Sequence, residues 1–577
     1  MTAPLNVPDE FIQGLLRSGP AFWQAIAATY SGELAKTNAA LPPGPPTTVG
    51  GRLQEAQMRY WQQQIELWTG VMAGAAGRRS EAVAAPDQGD RRFKAHEWRD
   101  HPFYSLLKQT YLLNARLLDD MVEAADISAK EKHKLRFYSR QFIDSMSPAN
   151  FPMTNPDVLK LALESNGESV KAGVANMLDD LKHKRISITD ESAFEVGRNV
   201  AVSKGAVVFE NDLFQLIQYE PLTKQVATRP LVIVPPCINK FYILDLQPEN
   251  SFVRFACEQG HTVFVVSWRN VGEELGHTTW DDYVKLGAMK AIEVALAISG
   301  ADKVNALGWC VGGTLLSSTL AVLRARGDER VASLTLLTTM LDFAEAGDLG
   351  VFIDEQGVSQ REQSIGNGGI YPGAELGFVF QSLRANDLIW PYVINNYLKG
   401  KAPDAFDLLY WNVDSTNLPG PMYAWYLRNM YLENNLCVPG KLTMCDTPID
   451  LSNIDMPSYV LATQEDHIVP WRSAYRTTQL VGGKSQFVLG ASGHIAGVIN
   501  PASKNKRSYW VDGKLGDDAE QWLSTASPVP GSWWTHWMKW LAPHAGKPVP
   551  ARTRLGNAKH KAIEPAPGRY VKERATS

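Results

Sequence analysis

At 577 residues, with 45% hydrophobic and 20% charged side chains, the chain has the composition of a folded globular protein; one small module and a predominantly disordered chain are both excluded. Its 57 Lys and Arg against 61 Asp and Glu leave a formal charge of −4, so no general attraction to nucleic acid or to an acidic membrane is expected, and an anionic substrate has to be met locally. Five cysteines, Cys237, Cys257, Cys310, Cys437 and Cys445, contain no C-x-x-C pair and point to neither a disulfide framework nor a zinc site.

The amino terminus lacks the basic-then-apolar pattern of a secretory leader, and no stretch reaches ~18 uninterrupted apolar residues. A cytoplasmic protein that does not span a membrane is the expectation. From Phe11 to about Asp190 the signals are helical, so residues 1–195 read as a mainly helical domain, with loop-like stretches near 36–50 and 73–92. Met58, Trp61, Ile65, Trp68 and Met72 recur at 3-4-3-4 spacing, which lines them along one helix face. Such a stripe is expected in a core, with a docking surface as the alternative that the flanking loops suggest. A second helix, Phe103 to Met121, is expected to pack on the main domain.

Beyond residue 196 short apolar runs alternate with helical ones, the order that builds a parallel sheet covered by helices. The runs are AVVFE (206–210), LVIV (231–234), TVFVVSW (262–268), VNALGW (304–309), SLTLLTTM (333–340), SYVLAT (458–463) and QFVLG (486–490). Helical signals at Trp280–Ile298 and Gly313–Arg326 fill two of the gaps. Residues 342–457 break the alternation with Trp, Tyr, Asn and Pro. An insertion of this length reads as a cap, its aromatics Trp390, Tyr392, Tyr397, Trp411, Tyr423 and Trp425 excluding water or forming the cap's own core. After SWWTHWMKWL, residues 542–577 carry eight Lys or Arg and two Glu. A solvated tail is expected there, with a docking arm as the alternative.

The chemistry concentrates in VNALGWCVGGTLLSSTL. A strand ends at Gly308, Cys310 sits on the turn and a helix begins near Gly313, the arrangement of a nucleophile elbow with Cys in place of the usual Ser. The Val311 amide is the expected oxyanion donor. Asp466 in QEDHIVP and His494 in SGHIAG follow in the order nucleophile, acid, histidine. The separation of 28 residues from Asp466 to His494 suffices for one helix and one strand, which returns both loops to the same sheet edge. His467 beside Asp466 is the competing imidazole and is read as structural. In the loop after the 231–234 run, Ile238 is the expected second oxyanion amide, and Asn239 either fixes substrate by its side-chain amide or closes its own turn.

Together GWCVGGT, PPCINKFYILDLQPENS, VSWRN, TTMLDF, NLPGPMYAWYLRNMYLENN, QEDHIVPW and SGHIAGVINP resemble polyhydroxyalkanoate synthases of the single-subunit class that polymerises short-chain (R)-3-hydroxyacyl-CoA. The resemblance covers nearly all of the chain beyond about residue 95. It implies an α/β-hydrolase fold with an inserted cap and an N-terminal helical domain, the catalytic domain spanning 196–577. It implies Cys310 as the acyl-carrying nucleophile, His494 as the base and Asp466 as the third catalytic residue, acting on the substrate hydroxyl. Trp309, where family members carry an aromatic before the cysteine, is taken with Asn239 as substrate-binding. It further implies no cofactor or metal, CoA thioester being the substrate, and as partners the growing polyester, the granule surface, a second copy in a homodimer and granule-associated proteins.

Cysteine suits such a task. A thioester on Cys310 stays close in energy to the CoA thioester, so the acyl group remains activated, whereas an ester on Ser would lie downhill. The free thiol pKa of ~8.5 requires a neighbouring imidazole to make the thiolate. A cysteine-dependent thioesterase of the same fold shares every one of these residues, and a granule-coating protein with a degenerate elbow is the non-enzymatic alternative.

Overall fold

The computed structural model describes residues 49–75 and 81–575. The helical signal beginning at Phe11, most of the loop at 36–50 and residues 76–80 lie outside the described residues. The chain divides into two units, Met1–Ile188 with Arg384–Asp404, and Thr189–Leu383 with Ala405–Ser577.

The first unit is built of helices α1 (Val49–Ala75), α2 (Pro102–Ala124), α3 (Ala129–Ser145), α4 (Pro156–Glu164) and α5 (Glu168–His183). Caps explain two of the starts: Ser128 and Glu131 form a reciprocal capping box on α3, and the Asn155 side chain accepts from the Val158 amide at α4. α1 packs on α2 through Leu67, which shares a small core with Ala84, Leu112 and Leu113, and Tyr60 donates to Asn114 at 2.8 Å. The stripe foreseen as core faces outward instead: Met58, Trp61, Ile65, Trp68 and Met72 are 57% to 71% exposed. The buried face of α1 carries Ala56, Gln64 and Leu67, too small and polar to register as an apolar stripe. α2 packs chiefly on α1 and α3, and also on the short helix Glu97–Asp100.

The insertion expected as one cap is shared. Residues 384–404, with Trp390, Tyr392 and Tyr397, belong to the first unit, where the Tyr397 hydroxyl donates to Asp180 at 2.6 Å and the Asn396 amide to the Ser187 carbonyl at 2.6 Å. Glycine permits this approach, since a Cβ on Gly173 would lie 2.0 Å from the Tyr397 carbonyl oxygen. The structure places the boundary between the units at Ile188, against 195 expected.

The second unit is organised on a mixed sheet of β1 (Gly205–Glu210), β2 (Phe214–Tyr219), β3 (Leu231–Val234), β4 (Val263–Trp268), β5 (Val304–Trp309), β6 (Val331–Leu337), β7 (Ser458–Thr463), β8 (Ser485–Gly490), β9 (Ser508–Val511), β10 (Ser527–Pro530) and β11 (Glu564–Pro565). Their order across the sheet is β10-β9-β8-β7-β6-β5-β3-β4-β2-β1-β11. The six strands from β8 to β4 run parallel, and the outer ones pair antiparallel. Burial on both faces explains why the parallel strands read as unbroken apolar runs. Val232, Val234, Ala306 and Leu336 fill the core on one face, while Leu231, Ile233, Leu307, Trp309 and Leu337 fill the other, as the two-residue period requires. α6 (Val311–Ala325) is buried almost throughout, and α7 (Trp533–Leu541) sinks Trp533, Trp534 and Trp537 into the core.

The carboxyl end is not a solvated tail. β11 pairs with β1 in the register Ala206↔Pro565, and Tyr570 and Val571 are buried. Two of its basic residues are paired in place: Arg569 with Glu210 at 2.6 Å and Glu564 at 2.8 Å, and Arg574 with Glu191 at 3.1 Å.

Candidate active site

Cys310 sits where β5 ends and α6 begins, with φ 53° and ψ −130°, a backbone conformation that costs an L-residue on the order of 1–3 kcal/mol and is held by its surroundings. Its amide donates to the Leu337 carbonyl at 2.9 Å, and its carbonyl accepts from the Gly313 amide at 2.8 Å. Two glycines let the turn close. A Cβ on Gly308 would lie 2.5 Å from the Gly313 Cα, and one on Gly312 would lie 2.4 Å from the Pro235 carbonyl oxygen. The cysteine itself is half-buried.

β7 and β8 are parallel neighbours in the register Thr463↔Gly490, so the loops that follow them leave the sheet side by side. Asp466 comes from the first and His494 from the second. One oxygen of Asp466, Oδ1, accepts from the Ile468 amide at 2.9 Å and the Val469 amide at 2.8 Å. The other, Oδ2, meets His494 Nδ1 at 2.7 Å and accepts from the Thr463 hydroxyl at 3.4 Å. Neither side chain is appreciably exposed, at 6% for His494 and 0% for Asp466. Burial disfavours the charged ring, but the Asp466 carboxylate and the Cys310 sulfur overcome it and raise the His494 pKa to about 10. The structure therefore brings Cys310, His494 and Asp466 together, and it is His494 whose ring meets Asp466.

The Val311 amide is the first of α6 and has no carbonyl within its own helix to donate to. Around Ile238 the loop is tied down on every side. Thr416 Oγ1 accepts from the Asn239 amide at 3.0 Å and donates to the Cys237 carbonyl at 2.8 Å, and the Trp411 indole N–H donates to the Lys240 carbonyl at 2.7 Å. Among the described residues the Ile238 N–H has no such partner.

Asn239, with φ 62°, spends its side-chain amide on the Trp411 and Asn412 carbonyls at 3.3 and 3.1 Å. Trp309 is 1% exposed, and its indole donates to the Thr338 hydroxyl at 2.9 Å. Neither presents a free donor at the elbow. Cys237 lies near enough to Cys310 to feel its charge, but burial pushes its own thiol up to about 12, so it stays protonated.

Two residues escaped the sequence reading. Tyr426 ends the helix Gly420–Tyr426 and Tyr431 lies in the π-helical turn Leu427–Leu432 that continues it. Burial raises both phenols above the ordinary tyrosine value, and both also feel the charge of Cys310. On an ordinary helix residues five apart point ~140° away from each other. The π turn brings them into edge-to-face contact at 5.4 Å, Tyr426 stacking on Trp280 at 5.3 Å and Tyr431 packing on Phe343 at 4.9 Å. Of the aromatics foreseen as a roof, Tyr423 is buried within the insertion, stacked on Tyr371 at 4.3 Å, whereas Trp411 is buried in the core on one face of the sheet, together with Tyr242 and Trp309.

Among the described residues no group of three or more His, Cys, Asp or Glu could hold a metal, and no helix is long and apolar enough to cross a membrane. Residues 89–256 match the family model described as Poly-beta-hydroxybutyrate polymerase (PhaC) N-terminus, and residues 230–501 match that of the alpha/beta hydrolase fold. The chain is 53% identical over 568 residues to the poly(3-hydroxyalkanoate) polymerase subunit PhaC of Cupriavidus necator, covering 96% of this chain and 95% of that one. It is 43% identical over 527 residues to the poly(3-hydroxyalkanoate) polymerase of Methylorubrum extorquens, covering 90% and 87%. To the polymerase subunit of Rhizobium meliloti it is 41% identical over 529 residues, covering 91% and 86%. With agreement at this level along almost its whole length, the chain belongs to the poly(3-hydroxyalkanoate) polymerase family, on an α/β-hydrolase fold.

Proposed function

We propose that this acyltransferase builds a polyester from short-chain (R)-3-hydroxyacyl-CoA, such as 3-hydroxybutyryl-CoA, through an acyl thioester on Cys310. His494 holds the proton that the thiol has given up, the thiolate attacks the CoA thioester carbonyl, and the Val311 and Ile238 amides receive the developing oxyanion. The departing CoA thiolate recovers the proton from His494. In the second half the hydroxyl of another acyl unit loses its proton to His494 and attacks the Cys310 thioester, forming the ester bond and freeing the thiol. Asp466 acts through His494. Both of its oxygens are already engaged, by the Ile468 and Val469 amides and by the ring, and none is left for a substrate hydroxyl. Asn239 and Trp309 serve as positioning residues for the oxyanion loop and the elbow.

The observation that carries this reading is the 2.7 Å contact of His494 with Asp466 beside a cysteine held at an elbow. The relatives' shared description as poly(3-hydroxyalkanoate) polymerases supports the substrate class. Action at the surface of a polymer granule in the cytoplasm, as a homodimer and beside granule-associated proteins, belongs to the same proposal. The test is to incubate the purified protein with (R)-3-hydroxybutyryl-CoA, follow release of free thiol, and weigh the chloroform-soluble product. Thiol release matched by polymer is expected. Release without polymer makes the protein a thioesterase.

A further inference from the structure

The loop that carries the Ile238 N–H ends in a lysine that is only 3% exposed. A buried ammonium is costly unless it is paired, so its partners define where the loop can sit. Lys240 Nζ donates to the main-chain carbonyl of Glu573, four residues before the end of the chain. Burial and, less, the like charge of Arg574 disfavour the ammonium, the buried Asp414 and the Glu573 carboxylate favour it, and Asp414 also accepts from the Tyr242 hydroxyl at 3.0 Å. The carboxyl-terminal residues are themselves fastened: Arg574 donates to the Tyr410 hydroxyl at 3.0 Å and pairs with Glu191 at 3.1 Å, and Arg269 reaches the Glu573 carboxylate at 3.4 Å. Tyr410 stands on the helix Asp407–Val413, whose Trp411 holds the Lys240 carbonyl from the other side.

We propose that residues 570–574 are a strap that clamps Lys240 and the 407–416 segment, and thereby sets the position of the oxyanion amide of Ile238. Lys240, Glu573 and Arg574 are on this view positioning residues that touch no reacting atom. The proposal rests on Cys310 being the acylated nucleophile. A misplacement of about 1 Å in such a loop costs about a hundredfold in rate, which is ample for contacts remote from the reacting atoms to matter.

The strap separates two reactions of the same cysteine. Acylation by a CoA thioester builds an oxyanion, whereas alkylation by iodoacetamide needs the thiolate and builds none. The full-length protein, the protein lacking residues 573–577, Lys240→Met and Lys240→Arg are each assayed for single-turnover acylation by (R)-3-hydroxybutyryl-CoA and for alkylation of Cys310. Truncation and Lys240→Met are expected to slow acylation about tenfold to a hundredfold at unchanged half-saturation. Alkylation is expected to stay within about twofold of the parent, because the thiolate and its imidazole are untouched. Lys240→Arg recovers part of the loss. Alkylation that falls as far as acylation, or acylation unchanged by the truncation, overturns the strap. If Lys240→Met does not fold, the truncation decides alone. A parent protein that carries no acyl label on Cys310 would instead sink the nucleophile assignment.

Discussion

His494 Nδ1 and Asp466 Oδ2 lie 2.7 Å apart, and the opposite oxygen of the same carboxylate is held by two backbone amides. The carboxylate is locked in orientation and occupies Nδ1, which leaves Nε2 as the nitrogen that the proposed mechanism uses. The family resemblance assigns Asp466 to the substrate hydroxyl, but this geometry gives it the histidine. Asp466→Asn is therefore expected to lower loading and elongation together, by on the order of 10⁴-fold, because an amide can hold the wrong tautomer. Quenching the variant with radiolabelled substrate, and counting label on protein against label in polymer, decides the matter. Protein that loads one acyl group and then stalls would return Asp466 to the hydroxyl.

The raised pKa of His494 has a thermodynamic consequence. A group whose folded value, about 10, lies above its ordinary 6.5 adds stability that is complete below 6.5 and is lost as the pH climbs to about 10. Thermal unfolding midpoints of the parent and of His494→Gln are thus expected to differ most at pH 6 and to converge toward pH 10. Curves that stay parallel over that range would mean that the ring is neutral in the resting protein.

Cysteine reactivity offers a separate check. Cys310 is half-buried beside a histidine, while Cys237 and Cys257 are enclosed and their thiols pushed up to about 12. Iodoacetamide at neutral pH is expected to modify Cys310 well before either of the others. Cys310→Ala should abolish thiol release and polymer while its unfolding midpoint stays close to the parent's. Peptide mass mapping after partial alkylation reads the order, and equal modification of Cys237 would remove the proposed privilege of Cys310.

The parallel strands and the elbow were legible because each obeys a local rule: buried strands are continuous apolar runs, and a close turn needs Gly308 and Gly312. What escaped depended on distant chain. β2, FQLIQY, is fully buried yet carries two glutamines, and its polar positions are satisfied from the far carboxyl end. Gln215 donates to Glu564 at 2.6 Å and accepts from the Tyr570 amide at 3.2 Å, while Gln218 accepts from the Gly556 amide at 2.7 Å. The same long-range pairing explains why a run of basic residues read as a solvated tail. Tyr426 and Tyr431 were missed for a geometric reason, since only a π turn aligns positions five apart.

The orientation of α1 is the clearest disagreement between periodicity and structure, and it can be measured. The strongest apolar stripe of the helix is exposed, whereas Ala56 and Leu67 are buried, Leu67 sharing a core with Leu112 and Leu113. Replacing Trp61 and Trp68 by Ser therefore removes side chains from water and is expected to leave the first unit's stability within about 0.5 kcal/mol. Leu67→Ala instead opens a cavity against α2 and is expected to cost about 2–5 kcal/mol. Denaturant unfolding of the full-length protein, followed by a probe attached to the first unit, compares the two directly. A helix rotated by half a turn would reverse the outcome, with the tryptophan variants unfolding early and Leu67→Ala passing unnoticed.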